Sequence, residues 1–468
     1  MGLSLFNRRI CNTYSGVIKT CDNAALTVTP KPMTDGLGND VPLSLGTSTI
    51  CYTGTQDFTG ATVVGISGAT AGLVSGVGTN SMVSSGSLGV LSTADGSCSI
   101  SIGSGAYNDQ ERSISIGQGA TGLCACTIAI GFGSISNGVE AIAIGNNATA
   151  VNMGSTSLGC TAIAACIRST AIGPRTSACG DNSVALGYNA GAFSPNSIAI
   201  GCDADVTSGS TAGIAIGHVA RTCAADTIAI GNGAFSQGTY DITIGCASVT
   251  NGFGSVNVGT GNTVSNQYSV GLGSVTTSTG FGSTALGSQS SALGNCSVAV
   301  GYNTISNGLG SLAIGHCSTS YGVGICANYN TAIGFNAQAT GFSAALGRNV
   351  VACSNSFVMG TNSQALCLGV TVGISSTAQS CASLALGYAS TVTATSLFAV
   401  AIGCGACARH AGALAMGCNV FSTRANVLTT CEFESCVAGC GIIVKTPDGL
   451  NSYRIAVDNS GNITTALA

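Results

Sequence analysis

Glycines recur at a fixed interval along most of this chain, and that interval limits the fold more than any other feature. They stand at 89, 103, 117, 131, 145, 159, 173, 187 and 201, then, after a two-residue insertion, at 217, 231, 245, 259, 273, 287, 301 and 315. The spacing within each run is 14 residues. Gly334, Gly347, Gly360, Gly373, Gly387, Gly403 and Gly417 continue the series with looser spacing, for about 24 turns in all. Self-similarity at a short fixed period is the mark of a solenoid, in which each repeat cannot bury a core alone and stacks on its neighbours.

The columns of the repeat describe one turn. Three residues before the register glycine usually stands Ile, Val, Leu or Thr, and one before it Ile, Leu, Val or Met, as at Ile128 and Ile130 or Val184 and Leu186. Between them is a small residue, such as Ala129, Ala143, Ser157, Ala185, Ala229 or Ala313. A period of two is a strand, and the small residues mark a face packed against a close neighbour. Seven residues after the register glycine a second one recurs (Gly138, Gly238, Gly252, Gly280, Gly294, Gly308), which predicts the other sharp corner. Two short strands and two corners make a parallel β-roll stacked at roughly 4.7 Å per rung, so that 24 rungs extend about 110 Å.

The pattern S-[VI]-A-[IL]-G-x-x-A-x-A-x-G, in segments such as Asn182–Ala190 (NSVALGYNA), Asn196–Gly201 (NSIAIG) and Glu140–Ala150 (EAIAIGNNATA), resembles the head repeat of the YadA-like trimeric autotransporter adhesins. The resemblance implies a left-handed parallel β-roll, all-β, assembled as a tight homotrimer. The family's collagen-binding pattern is NSVAIG-x-x-S, and this chain places Ala190 where it has Ser, so collagen is not the expected ligand. The domain organisation expected is an N-terminal attachment region at 1–80, the roll at 81–425 and a C-terminal β cap at 426–468.

The ends redirect the functional expectation. The start, MGLSLFNRRICNTYSG, has no apolar signal-peptide core, and Phe6 stands where a myristoylation signal needs Ser or Thr. The family's heptad stalk and strand-built membrane anchor are also not found. The segment LTVTPKPMTDGLGNDVPLSLG is similar to attachment regions of phage and viral fibres, and the end, GIIVKTPDGLNSYRIAVDNSGNITTALA, is similar to terminal strand modules of virion proteins. Its turns between Tyr453, Ile455 and Val457 suggest a small antiparallel sheet. The expectation is therefore a non-enzymatic virion fibre or spike, that of a phage, which holds other virion proteins through its N-terminus and touches an unknown host receptor. A bacterial surface adhesin or matrix filament is the alternative.

Composition bears on what else is excluded. Only 6% of residues are charged, 13 basic against 17 acidic, which leaves no basic excess for nucleic acid. The uncharged stretch Ser383–Ala408 is broken by Gly387, Gly403 and Gly405 and keeps the strand period, so membrane insertion is not expected. No Asp or Glu occurs from Ile242 to Cys431, and the remaining pairs, Asp203 with Asp205, Asp109 with Glu111 and Glu432 with Glu434, read as solvated surface rather than catalytic carboxylates. His218, His316 and His410 are too far apart in sequence to share a ligand within one chain, so neither metal nor cofactor is expected. The 24 cysteines read mostly as small buried thiols. The positions at which disulfides are expected are Cys404 with Cys418, which occupy one column on adjacent turns, Cys407, and the cluster Cys431, Cys436 and Cys440.

Overall fold

The structure, a computed structural model, describes residues 19–21, 24–34, 40–45, 50–52, 85–88, 92–322, 329–431, 442–447, 450–458 and 460–467. The chain divides into two compact units, Met1–Gly72 and Leu73–Ala468. In the first, Lys19–Thr20, Lys31–Thr34, Asp40–Leu45 and Ile50–Tyr52 form an antiparallel sheet.

The second unit is a parallel β-solenoid. Its turn is well seen at Ile142–Ile144, which leads through Gly145 to Thr149–Ala150 and then to Thr156–Leu158, one rung on. The rungs pair in parallel, with Ile142 opposite Thr156, Ala143 opposite Ser157 and Ile144 opposite Leu158. Among the described residues one sheet holds 25 strands and the other 23. Backbone hydrogen bonds carry each step: Ile142 N–H donates to Ser155 O at 2.9 Å, Gly145 to Ile130 at 2.7 Å and Thr149 to Ala162 at 2.9 Å. At about 0.5–1.5 kcal/mol net for each such bond, the ladder is a main source of cohesion, because the core is made of small side chains.

That core lies inside the coil. Ala143, Ala185, Ala229 and Ala313 are fully buried, as are Ala148, Ala150, Ser134 and Ser136 on the opposite sheet. Several buried serines four before the register glycine satisfy their hydroxyls locally, as where Ser155 Oγ donates to Asn152 O at 2.6 Å and Ser311 Oγ to Gly308 O at 2.7 Å, whereas the Ser183 and Ser297 hydroxyls at the same column have no partner. Where this bond is made, it ties down the corner carbonyl and avoids the cost of burying a free hydroxyl.

The two corners differ from each other. Gly145 has φ 137°, and a Cβ there would lie 2.3 Å from the carbonyl oxygen of Gly159 on the next rung, so both backbone conformation and space demand glycine. The second glycine works differently from the first. Gly138 is not left-handed; a Cβ on it would meet the Asn152 carbonyl at 2.1 Å. The left-handed residue of that corner stands two further on, at Glu140 with φ 60°. Close approach, rather than handedness, selects the second glycine.

Irregular spacings are absorbed in the loops. Across the insertion before Gly217, Ile198 still pairs with Ile214, and across the long step before Gly334, Leu312 still pairs with Thr331. The ladder also passes the boundary expected at 425, for Leu428–Thr430 pairs with Leu414–Met416. Cys431 follows this strand where a register glycine would stand, which hides the turn from a glycine count. Beyond it Ile442–Lys445, Ser452–Val457 and Ile463–Leu467 form the expected antiparallel sheet. Asp458 closes its second turn by accepting the N–H groups of Ser460 and Asn462, both at 2.8 Å.

Candidate functional site

With the small residues turned inward, the branched residues that flank them face out. Ile144 is 37% exposed, Leu186 40%, Leu286 41% and Met416 40%, all one residue before a register glycine. Parallel pairing in register stacks this column, with Ile172 beside Leu186 and Leu186 beside Ile200. The result is a stripe of half-exposed Ile, Leu, Val and Met along the sheet of longer strands. An apolar surface of this continuity marks an interaction face.

The corners carry a second kind of surface. Tyr240, Phe253, Tyr268 and Phe281, on four successive rungs, stand edge to face with ring centroids 5.4, 5.8 and 5.8 Å apart. At the other corner Tyr302, His316 and Phe335 stack at 5.0 Å spacing, and the Arg348 guanidinium lies 5.6 Å from the Phe335 ring centre. Tyr240 and Tyr268 are each 54% exposed, so these ladders present flat aromatic edges to solvent.

Most of the sequence-picked chemical groups scatter along the roll, but Asp203 and His218 stand on adjacent rungs with their ligand atoms within 4.8 Å. Asp205 pairs with Arg221 one rung on, at 3.3 Å, and burial raises its carboxyl while Arg221 draws it down. Asp203 accepts the Asn189 amide at 2.7 Å, and this bond, with one from Cys202, holds its carboxyl below the usual range. Glu111 meets Arg112 at 3.5 Å on the surface. Glu432 and Glu434 lie outside the described residues. His316 belongs to the aromatic stack, and His410 Nδ1 lies 3.4 Å from Ser422 Oγ.

One carboxylate escaped the sequence reading. Asp241 is completely buried at a column filled on most other rungs by Ser, Thr or Ala. It accepts the N–H groups of Gly238, Gly252 and Ser255 at 3.0, 2.8 and 2.9 Å. Burial raises its pKa, and these three bonds oppose the rise. The signal was the column itself, since an acid stands where the repeat has a small neutral residue.

The disulfide also lies elsewhere than expected. Cys367 and Cys381, 14 residues apart on adjacent rungs, are bonded with their Cα atoms 4.6 Å apart. Cys404, Cys407, Cys418 and Cys431 are free thiols, and Cys436 and Cys440 lie outside the described residues. Cys431 Sγ instead donates to the Cys418 carbonyl at 3.5 Å. Rung-to-rung adjacency was the right criterion: both cysteines stand six residues before a register glycine, Gly373 and Gly387, a column the sequence reading did not single out.

Among the described residues no helix is long and apolar enough to cross a membrane, which says nothing of spans made by strands. The YadA head domain repeat matches at residues 127–148, 136–159, 167–190, 178–201, 278–304 and 297–316. No curated protein matches the chain. A solved structure, the collagen-binding domain of the Yersinia adhesin YadA, aligns at 21% identity over 41% of this chain and 83% of that one, with a TM-score of 0.24. The roll thus carries YadA-like head repeats at 127–159, 167–201 and 278–316.

Proposed function

We propose that this roll of YadA-like head repeats is the head of a bacterial surface adhesin that acts as a homotrimer, a stiff rod whose exposed corners meet a host matrix surface. The observation that carries the reading is the stripe of half-exposed Ile, Leu, Val and Met that runs in register along the ladder. A partner must repeat at the same rung spacing to cover such a stripe over its length, and further copies of this chain do so. Lateral association then hides apolar area worth about 25 cal/mol per Å².

The bacterial-surface reading is preferred to a virion fibre because the family match falls on the roll, at 127–159, 167–201 and 278–316, whereas the likeness to fibre proteins rests on short terminal segments. Collagen is not the ligand of first choice. Ala190, which replaces the pattern's serine, is 1% exposed, so this position shapes the corner instead of touching a ligand.

The test joins assembly to adhesion. Light scattering on the full chain should give three times 45.5 kDa, and Leu186→Asp combined with Leu286→Asp should abolish that species. Bacteria displaying the chain should adhere to deposited host-cell matrix, and the double variant should not. A well-folded monomeric wild type, or adhesion no greater than that of bacteria lacking the chain, overturns the reading.

A further inference from the structure

We propose that Cys202, Asp203 and His218 form a three-ligand site for a zinc-like divalent cation, clamping two adjacent rungs of the roll. In sequence Cys202 and His218 are 16 residues apart, a distance that matches no repeat. The insertion between Gly201 and Gly217 loops out, however, and Ile200 pairs with Ile216. Each of the two residues directly follows a register glycine, so the thiol and the imidazole share one column on successive rungs. The Val219 N–H to Cys202 O bond, 2.9 Å, fastens the two rungs at this point.

The ligand atoms of all three side chains lie within 4.8 Å of one another. A tetrahedral zinc with ligand bonds of about 2.0–2.3 Å holds its ligand atoms roughly 3.5 Å apart, so side-chain rotation of about an ångström completes the set. Cys202 Sγ already donates to Asp203 Oδ2 at 3.2 Å. The other carboxylate oxygen accepts the Asn189 amide at 2.7 Å, which orients Asp203 as an outer partner orients a metal ligand. A mixed set of thiolate, imidazole and carboxylate suits zinc, cobalt or nickel and disfavours calcium and magnesium, which take oxygen ligands. Binding replaces the thiol proton, which leaves to solvent, and involves no redox change. Three protein ligands leave a fourth position for water or for a group from another molecule.

The test titrates the reduced full chain with zinc ions against a chromophoric chelator. Other thiols of this chain also take up zinc, so the informative variants are His218→Gln and Asp203→Asn, which leave every cysteine in place. Each should bind one zinc fewer per chain than wild type. Asn189→Ala should keep the site at about tenfold lower affinity. With cobalt ions, the thiolate-to-metal absorption should fall in Cys202→Ser, and the visible tetrahedral bands should change in His218→Gln. Circular dichroism confirms that each variant stays folded. Identical zinc stoichiometry in wild type, His218→Gln and Asp203→Asn, or cobalt spectra unchanged by Cys202→Ser, overturns the assignment.

Discussion

Two residues before each register glycine, side-chain size is limited by the opposite wall of the same coil. Ala185 and Ala229 have no exposed surface, and each pairs with small residues on both neighbouring rungs, Ala185 with Ala171 and Ala199. Replacing either by Leu should cost about 1–3 kcal/mol per chain by overpacking, read as a lowered melting temperature. Wild-type melting in both variants would mean that the interior has room. The glycines divide by the same reasoning. Gly145→Ala sets a Cβ against the Gly159 carbonyl at φ 137°, while Gly119, φ 67°, has nothing within 4 Å of a Cβ and occupies a column where Asn147 and Arg175 are accepted. Gly119→Ala should cost about 1 kcal/mol and Gly145→Ala clearly more, and equal melting temperatures would refute the distinction.

At the scale of strand and corner, Asp241 replaces a hydroxyl with a carboxylate that clamps three backbone N–H groups from two corners. Its pKa is raised in the folded chain, chiefly by burial. The folded state therefore holds the proton more tightly than the unfolded one, and the resulting stability is full below the unfolded carboxyl pKa and lost as pH rises through the folded one. Asp241→Asn removes this titration. The melting temperature of wild type relative to Asp241→Asn should thus be more favourable at pH 3.5 than at pH 7; a difference independent of pH, or one growing toward pH 7, would contradict the burial argument. The corners also show how an element can be read correctly for an incomplete reason. Gly138 was expected from its spacing to make a sharp corner; crowding by the Asn152 carbonyl is what requires a glycine there, and Glu140 takes the left-handed conformation.

For the whole molecule, the consequence of a parallel stack is that its terminal rungs need cover, since open strand edges recruit other chains. The last strand described in the ladder is Leu428–Thr430, and the antiparallel sheet Ile442–Leu467 follows it. Deleting residues 432–468 should convert a soluble oligomer into aggregates on size-exclusion chromatography. Deleting residues 1–60 should leave the oligomer soluble, because Met1–Gly72 is a compact unit separate from the roll. Aggregation of the second variant and solubility of the first would reverse this assignment of the ends.

The sequence by itself determined the strands, their 14-residue pitch, the register glycines and the small-residue columns, because strand period, corner conformation and side-chain size are local properties repeated rung after rung. Alternation names two faces without saying which turns inward; only the folded coil shows that its narrow interior takes Ala143 and Ser157 and leaves Ile144 and Leu186 outside. The structure likewise decided the bonding of Cys367 to Cys381, the burial of Asp241 and the meeting of Cys202 with His218. The first two lie in columns that regular rungs keep above one another, whereas the meeting of Cys202 with His218 is set by strand pairing across a turn of unequal length, where a looped-out insertion changes the distance along the chain but leaves the distance between rungs unchanged.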